Sequence, residues 1–152
     1  MGTLKEDVGA SADRISRALQ SSGYRADFSP ASLCEIDRFF DDQSKEGAAK
    51  RGGLLAADLG SRIFALGCYV GEVLRRDRNG EWLADDADEQ GEVNLEVYLP
   101  DGTRCWPVQR VIKRLKNGQE DSIAAWGISL GLRFSSVPIL QPRGSFSKLF
   151  GR

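Results

Sequence analysis

The run LGCYVGEVLRR at residues 66–76 decides how this chain folds. Within this run and upstream of it, apolar residues recur at steps of three and four, which is the spacing of one helix face. The sequence therefore predicts a long, mostly buried central helix over residues 53–76. Gly60, Gly67 and Gly71 lie on one row of that helix. Because glycine weakens a helix by about 1 kcal/mol relative to alanine, this row predicts that another backbone packs closely against it.

Glu72 is the acidic residue of this run, and the 152-residue chain contains no histidine. Without imidazole there can be no His-based general base, catalytic triad or metal ligand. A partly buried Glu72 would have a raised pKa and could act as an acid or a base. Two structural alternatives are an ion pair with Arg75 or Arg76, which lie at helical spacing, and a hydrogen bond to the backbone of a sheet.

Three aromatic residues are candidates for a pocket beside Glu72. Aromatic side chains on strands that face a helix either line a ligand pocket or fill the core. The candidate ligand or partner site comprises Tyr69, Glu72, Arg75, Arg76, Trp82 and Trp106.

Further helices are predicted around the central one. The first covers residues 4–20, and the second follows Ser29, whose hydroxyl can cap a helix that begins with Pro30. Another helix runs from Pro107 to about residue 117, and a shorter helix follows it. In the Pro107 helix, four basic residues lie largely on the outer side, away from the apolar face: Arg110, Lys113, Arg114 and Lys116.

Three short strands are predicted after the central helix. Residues 81–84 begin the first, residues 93–99 alternate between apolar and polar side chains, and residues 104–106 return after a PDGT turn. Residues 41–47 are predicted as a loop. The fold class is therefore α+β, with a long central helix and flanking helices packed on a small, about three-stranded antiparallel β-meander.

The domain organisation follows from these elements. Residues 1–23 form an N-terminal helix, residues 24–130 a single α+β domain, and residues 131–152 a basic, flexible C-terminal tail. The tail combines apolar and basic side chains, which suits a partner-binding segment. Its candidate contacts are Arg143, Phe146, Lys148 and Phe150.

Composition limits the classes of partner. Lys plus Arg number 21 against 22 for Asp plus Glu, so global charge gives no support for nucleic-acid binding. No apolar run approaches the length of a membrane span, and residues 1–7 are too polar for a secretory signal. Three scattered cysteines predict buried, reduced thiols. We expect a cytoplasmic protein with no metal and no cofactor.

Several matching segments carry a family resemblance. They are residues 66–76, GEW at residues 80–82, LPDG at residues 99–102, Pro107, and VIKRLKNG at residues 111–118. In order and spacing this pattern resembles a family of small bacterial domains of unknown function, over residues 32–125. The resemblance implies a compact bacterial α+β domain and implies no activity.

Two hypotheses of function follow. The first is a non-catalytic protein-interaction module that binds a partner through the sheet edge, a helix face or the basic tail. The alternative is a small-molecule-binding protein or unusual enzyme with a pocket around Glu72, Tyr69 and Trp82. A homodimer stays open as well, because glycine-notched helices also pair between subunits.

Overall fold

A computed structural model describes residues 2–134 of the chain. Its helices are α1 (Leu4–Ser21), α2 (Leu33–Gln43), α3 (Leu59–Arg78), α4 (Pro107–Asn117) and α5 (Ile123–Ser129). Its strands are β1 (Ser44–Lys45), β2 (Ala48–Ala49), β3 (Glu81–Leu83), β4 (Glu96–Tyr98) and β5 (Arg104–Cys105). The predicted α+β class is confirmed.

The predicted meander is confirmed as a three-stranded antiparallel sheet in the order β3-β4-β5. Val97 in the central strand pairs with Trp82 on one side and Cys105 on the other, and all three side chains are buried. The alternation predicted an outward-facing Glu96, but Glu96 is buried because Arg104 folds over it with two hydrogen bonds.

The central helix α3 begins six residues later than predicted, at Leu59 rather than residue 53. Asp58, directly before α3, has a φ of −153° and a ψ of 67°, a backbone conformation that a helix cannot contain. Gly52, with a φ of +76°, forms a turn ahead of it. The Gln43 side chain accepts a hydrogen bond from the Leu54 amide, which holds the turn. Leu55 is thereby buried in a non-helical segment.

Close backbone packing at the glycine row is confirmed at Gly67, involves a side chain instead at Gly71, and is absent at Gly60. A Cβ added at Gly67 would lie 2.7 Å from the Cα of Val108, so the backbones of α3 and α4 approach closely there. At Gly71 an added Cβ would overlap the Trp82 ring, a side chain rather than a backbone. The prediction is wrong at Gly60, which has no neighbouring atom within 4 Å.

We expect Gly67→Ala to lower the free energy of unfolding by about 1–3 kcal/mol, because its methyl group would push α4 away from α3. Gly60→Ala is the matched control, in the same helix and with open space around it. It should leave stability unchanged or raise it by up to about 1 kcal/mol. Urea denaturation of both variants measures the difference. Equal stabilities would contradict the close approach at Gly67.

Residues 41–47 form no simple loop, so that prediction is wrong. Helix α2 continues to Gln43, and β1 and β2 then pair as a small hairpin. The two turn residues, Glu46 and Gly47, have φ values of 53° and 82°. Positive φ at both positions is the geometry of a tight two-residue hairpin turn.

Both ends of the described chain pack against the core. Helix α1 lies along α3, and the Ser16 hydroxyl donates to the carbonyl of Ala26 at 2.7 Å. At the other end Leu132 is buried and Phe134 partly so. The predicted tail contacts, at residues 143–150, lie outside the described residues. Over residues 2–134 no helix has both the length and the apolarity needed to cross a bilayer.

Candidate functional site

Glu72 lies buried on α3 with both carboxylate oxygens fully engaged. Oε1 accepts hydrogen bonds from Arg75 Nε at 2.9 Å and from Trp82 Nε1 at 3.0 Å. Oε2 accepts from a terminal nitrogen of Arg75 at 2.7 Å and from Arg76 Nε at 2.8 Å. A carboxylate has about four acceptor positions. These four bonds therefore leave no free lone pair for a substrate proton.

The expected raised pKa of Glu72 is wrong. Burial alone would raise it, but hydrogen bonds from Arg75, Trp82 and Arg76 outweigh burial and lower the pKa to about 2. Such a group stays ionised near neutral pH. General acid–base catalysis works best when the pKa lies near the operating pH. The ion pair, one of the structural alternatives, is what the geometry shows.

Tyr69 is fully buried and contacts the segment before α2. Its hydroxyl oxygen accepts a hydrogen bond from the Phe28 amide at 2.9 Å and shares another with the Ser32 hydroxyl at 2.6 Å. Its ring centroid lies 4.7 Å from that of Phe28, and the Arg76 guanidinium covers the Phe28 ring at 4.0 Å. Tyr69 thus fastens this segment to α3.

Trp106 has contacts of its own at the start of α4. Its side chain is 39% exposed, and the guanidinium of Arg104 lies 5.8 Å from its ring centroid. It lines a shallow pocket of about 240 Å³ together with Trp126 and Arg110. The structure therefore brings four of the six predicted site residues into one bonded cluster, Glu72, Arg75, Arg76 and Trp82, and gives Tyr69 and Trp106 other partners.

A second buried ion-pair network was missed because Arg114 was placed on the outer side of its helix, which is wrong. Arg114 is only 2% exposed. It donates to Asp37 Oδ1 at 2.9 Å, to the Asp37 carbonyl at 3.0 Å and to Asp41 Oδ1 at 2.8 Å. Asp37 and Asp41 are one turn apart on α2. In the sequence, two aspartates one turn apart beside the apolar face of α2 could have indicated a site for a buried basic side chain.

Asp37 also holds the start of α5. Its carboxylate accepts hydrogen bonds from the amides of Ile123 and Ala124 and from the Ser122 hydroxyl, all between 2.8 and 2.9 Å. These amides at a helix N-terminus have no partner within the helix. A single carboxylate therefore joins α2, α4 and α5.

An open groove of about 510 Å³ runs between α1 and α3. Small residues on both helices leave this space, among them Ala18 and Ala65. Arg14 of α1 and Arg62 of α3 also line it. Its large apolar lining residues are Ile15, Leu19, Phe39, Leu54, Phe64 and Leu66. The sequence pattern missed this groove, since its wall needs side chains from α1, α2 and α3 together.

The thiol and carboxylate groups form no metal-binding arrangement within residues 2–134, where no group of three or more such side chains converges. The prediction of buried thiols is confirmed for Cys68 and Cys105. It is wrong for Cys34, which is exposed. Burial raises the pKa of the Cys68 thiol to about 12 and that of Cys105 to about 11.

No protein family, curated protein or solved structure matches this chain. The resemblance of residues 32–125 to a bacterial family of unknown function therefore stays a prediction.

Proposed function

We propose that this protein is a non-catalytic interaction module that binds a protein partner in the groove between α1 and α3. One observation supports the proposal most strongly. The groove has a mostly apolar lining in which Leu54 is 41% exposed and Ile15 and Phe64 are half-buried. A mostly apolar groove between two helices is the kind of surface on which an amphipathic partner helix docks. It corresponds to the helix-face form of the interaction hypothesis.

The alternative, a small-molecule-binding protein or unusual enzyme around Glu72, Tyr69 and Trp82, has less support. The polar groups of all three side chains already bind protein groups. A ligand would have to displace hydrogen bonds that the buried Glu72 carboxylate needs. Binding of a partner in the α1–α3 groove does not require the hydrogen bonds of Glu72, Tyr69 or Trp82 to break.

We expect Ala18→Trp to weaken partner binding at least tenfold, because the indole would fill the groove. Ala10→Trp is the matched control, on the same helix at an exposed position that does not line the groove. The partner would be captured from host lysate with the wild-type chain, purified, and titrated against both variants. A chain truncated after Phe134, which keeps the buried Leu132 and the packed Phe134, tests the basic tail in the same titration.

Two outcomes would contradict the proposal. One is a partner that binds Ala18→Trp as tightly as the wild type and is lost on truncation, which would move the contact to the tail. The other is a retained small molecule whose binding Glu72→Gln abolishes without loss of stability, which would favour the alternative.

A further inference from the structure

We propose that the partner docks in the α1–α3 groove as an amphipathic helix that carries carboxylates beside its apolar face. This inference rests on the proposed function and names the chemistry of the partner. It follows from the shape of the groove and from two arginines that line it.

The shape suits a helix of about three turns. The groove extends from Ser11 to Ser22 along α1, which is about 16 Å at 1.5 Å per residue. Ala18, Ser61 and Ala65 have short side chains, so a third helix can approach both α1 and α3. Apolar residues at positions i, i+3 or i+4, and i+7 would then contact Ile15, Leu54 and Phe64.

The charge of the groove selects the flanking residues of the partner. Among residues 2–134, seven arginines have a carboxylate within 4 Å. Six have none, and of these six only Arg14 and Arg62 line the groove. Arg14 donates to the Ser11 hydroxyl and Arg62 to the Leu54 carbonyl. Asp58 is the one carboxylate that lines the groove within the described residues. A docked helix would cover both guanidinium groups, which therefore need carboxylates from that helix.

The chain's own C-terminal segment fits these charges poorly. Residues 135–152 contain Arg143, Lys148 and Arg152 and no acidic residue. Placed in the groove, they would add positive charge beside Arg14 and Arg62. The occupant that matches both the apolar lining and the positive charge of the groove is an acidic segment of another protein.

A displayed library of helix-forming peptides with randomised surface positions tests the inference without a known partner. Selection against the full-length chain should enrich apolar residues at one-turn spacing together with Asp or Glu. The selected peptide should bind Arg14→Gln/Arg62→Gln at least tenfold more weakly. Arg17→Gln, an exposed arginine of α1 that does not line the groove, is the control and should leave affinity unchanged.

The outcomes separate this inference from the proposed function. Selected peptides that lose binding to Ala18→Trp but carry no acidic preference would overturn the charge inference and leave the groove as a protein-binding site. The last outcome is that no peptide is enriched, while laurate binds the wild type and does not bind Ala18→Trp. Both proposals then fail, and the groove is a small-molecule site. Enrichment of basic peptides would overturn the inference directly.

Discussion

Asp37→Ala is expected to lower the free energy of unfolding by about 3–5 kcal/mol, the usual effect of removing one partner from a buried ion pair. The change leaves Arg114 buried without its main carboxylate. It also removes the acceptor for two amides and a hydroxyl at the start of α5. Since domains of this size are stable by about 5–15 kcal/mol, the variant should be close to unfolding at 25 °C. Urea denaturation at pH 7 measures the loss.

Asp41→Ala is the matched control for this prediction. Asp41 binds the same arginine at 2.8 Å, but its side chain is 43% exposed and caps no helix. Water can replace most of its interaction, so we expect a loss of about 1 kcal/mol or less. Similar losses for the two variants would show that Asp37 does not join the three helices as described.

Glu72→Gln is expected to lower stability by about 1–3 kcal/mol at pH 7, less than the full pKa shift implies because Arg75 and Arg76 are 37% and 46% exposed and water screens them. It should also abolish part of the acid sensitivity of the protein. The pKa of Glu72 falls from an ordinary 4.5 to about 2 on folding, and each pKa unit corresponds to about 1.4 kcal/mol. A lowered pKa favours the ionised form in the folded state. Its contribution is therefore complete above pH 4.5 and is lost as the pH falls towards 2.

The measurement is urea denaturation of wild type and variant at several values between pH 2 and pH 7. The stability difference should be constant above pH 5 and shrink through the range from 4.5 to 2. Glu89→Gln, an exposed residue of the 85–91 loop, is the control and should show no comparable change. A Glu72→Gln variant as stable as wild type at pH 7 would contradict a structural role for this carboxylate.

The parts of the structure that depend on nearby residues were predictable from sequence. Glu72, Arg75 and Arg76 lie within one helical turn, and their ion pairs were among the alternatives derived from spacing. The bond from Trp82 needed the sheet to fold onto α3, and the sequence indicated only that the two residues lie near each other. The late start of α3 was missed because the helical spacing of apolar residues already begins at Leu55, within the turn and short 3₁₀ segment that precede Leu59.

The parts that depend on distant residues were not predictable from pattern alone. Arg114 is separated from Asp37 by 77 positions along the chain. Its charge indicated solvent, and only the packing of α4 against α2 reveals that its charge is neutralised internally. The α1–α3 groove has the same cause, because periodicity defines the face of one helix and gives no information on the space between two.

The two buried thiols can serve as natural probes of local unfolding in this chain. Cys68 lies within α3 and Cys105 within β5, and both are shielded from reagents in the folded state. An alkylating reagent in native buffer therefore reaches Cys34 without unfolding, although slowly, because burial and the nearby Asp37 and Glu35 raise the pKa of that thiol to about 11. It reaches the other two thiols after local or global opening. The order in which Cys105 and Cys68 become modified would show whether the sheet separates before the central helix, without any engineered probe.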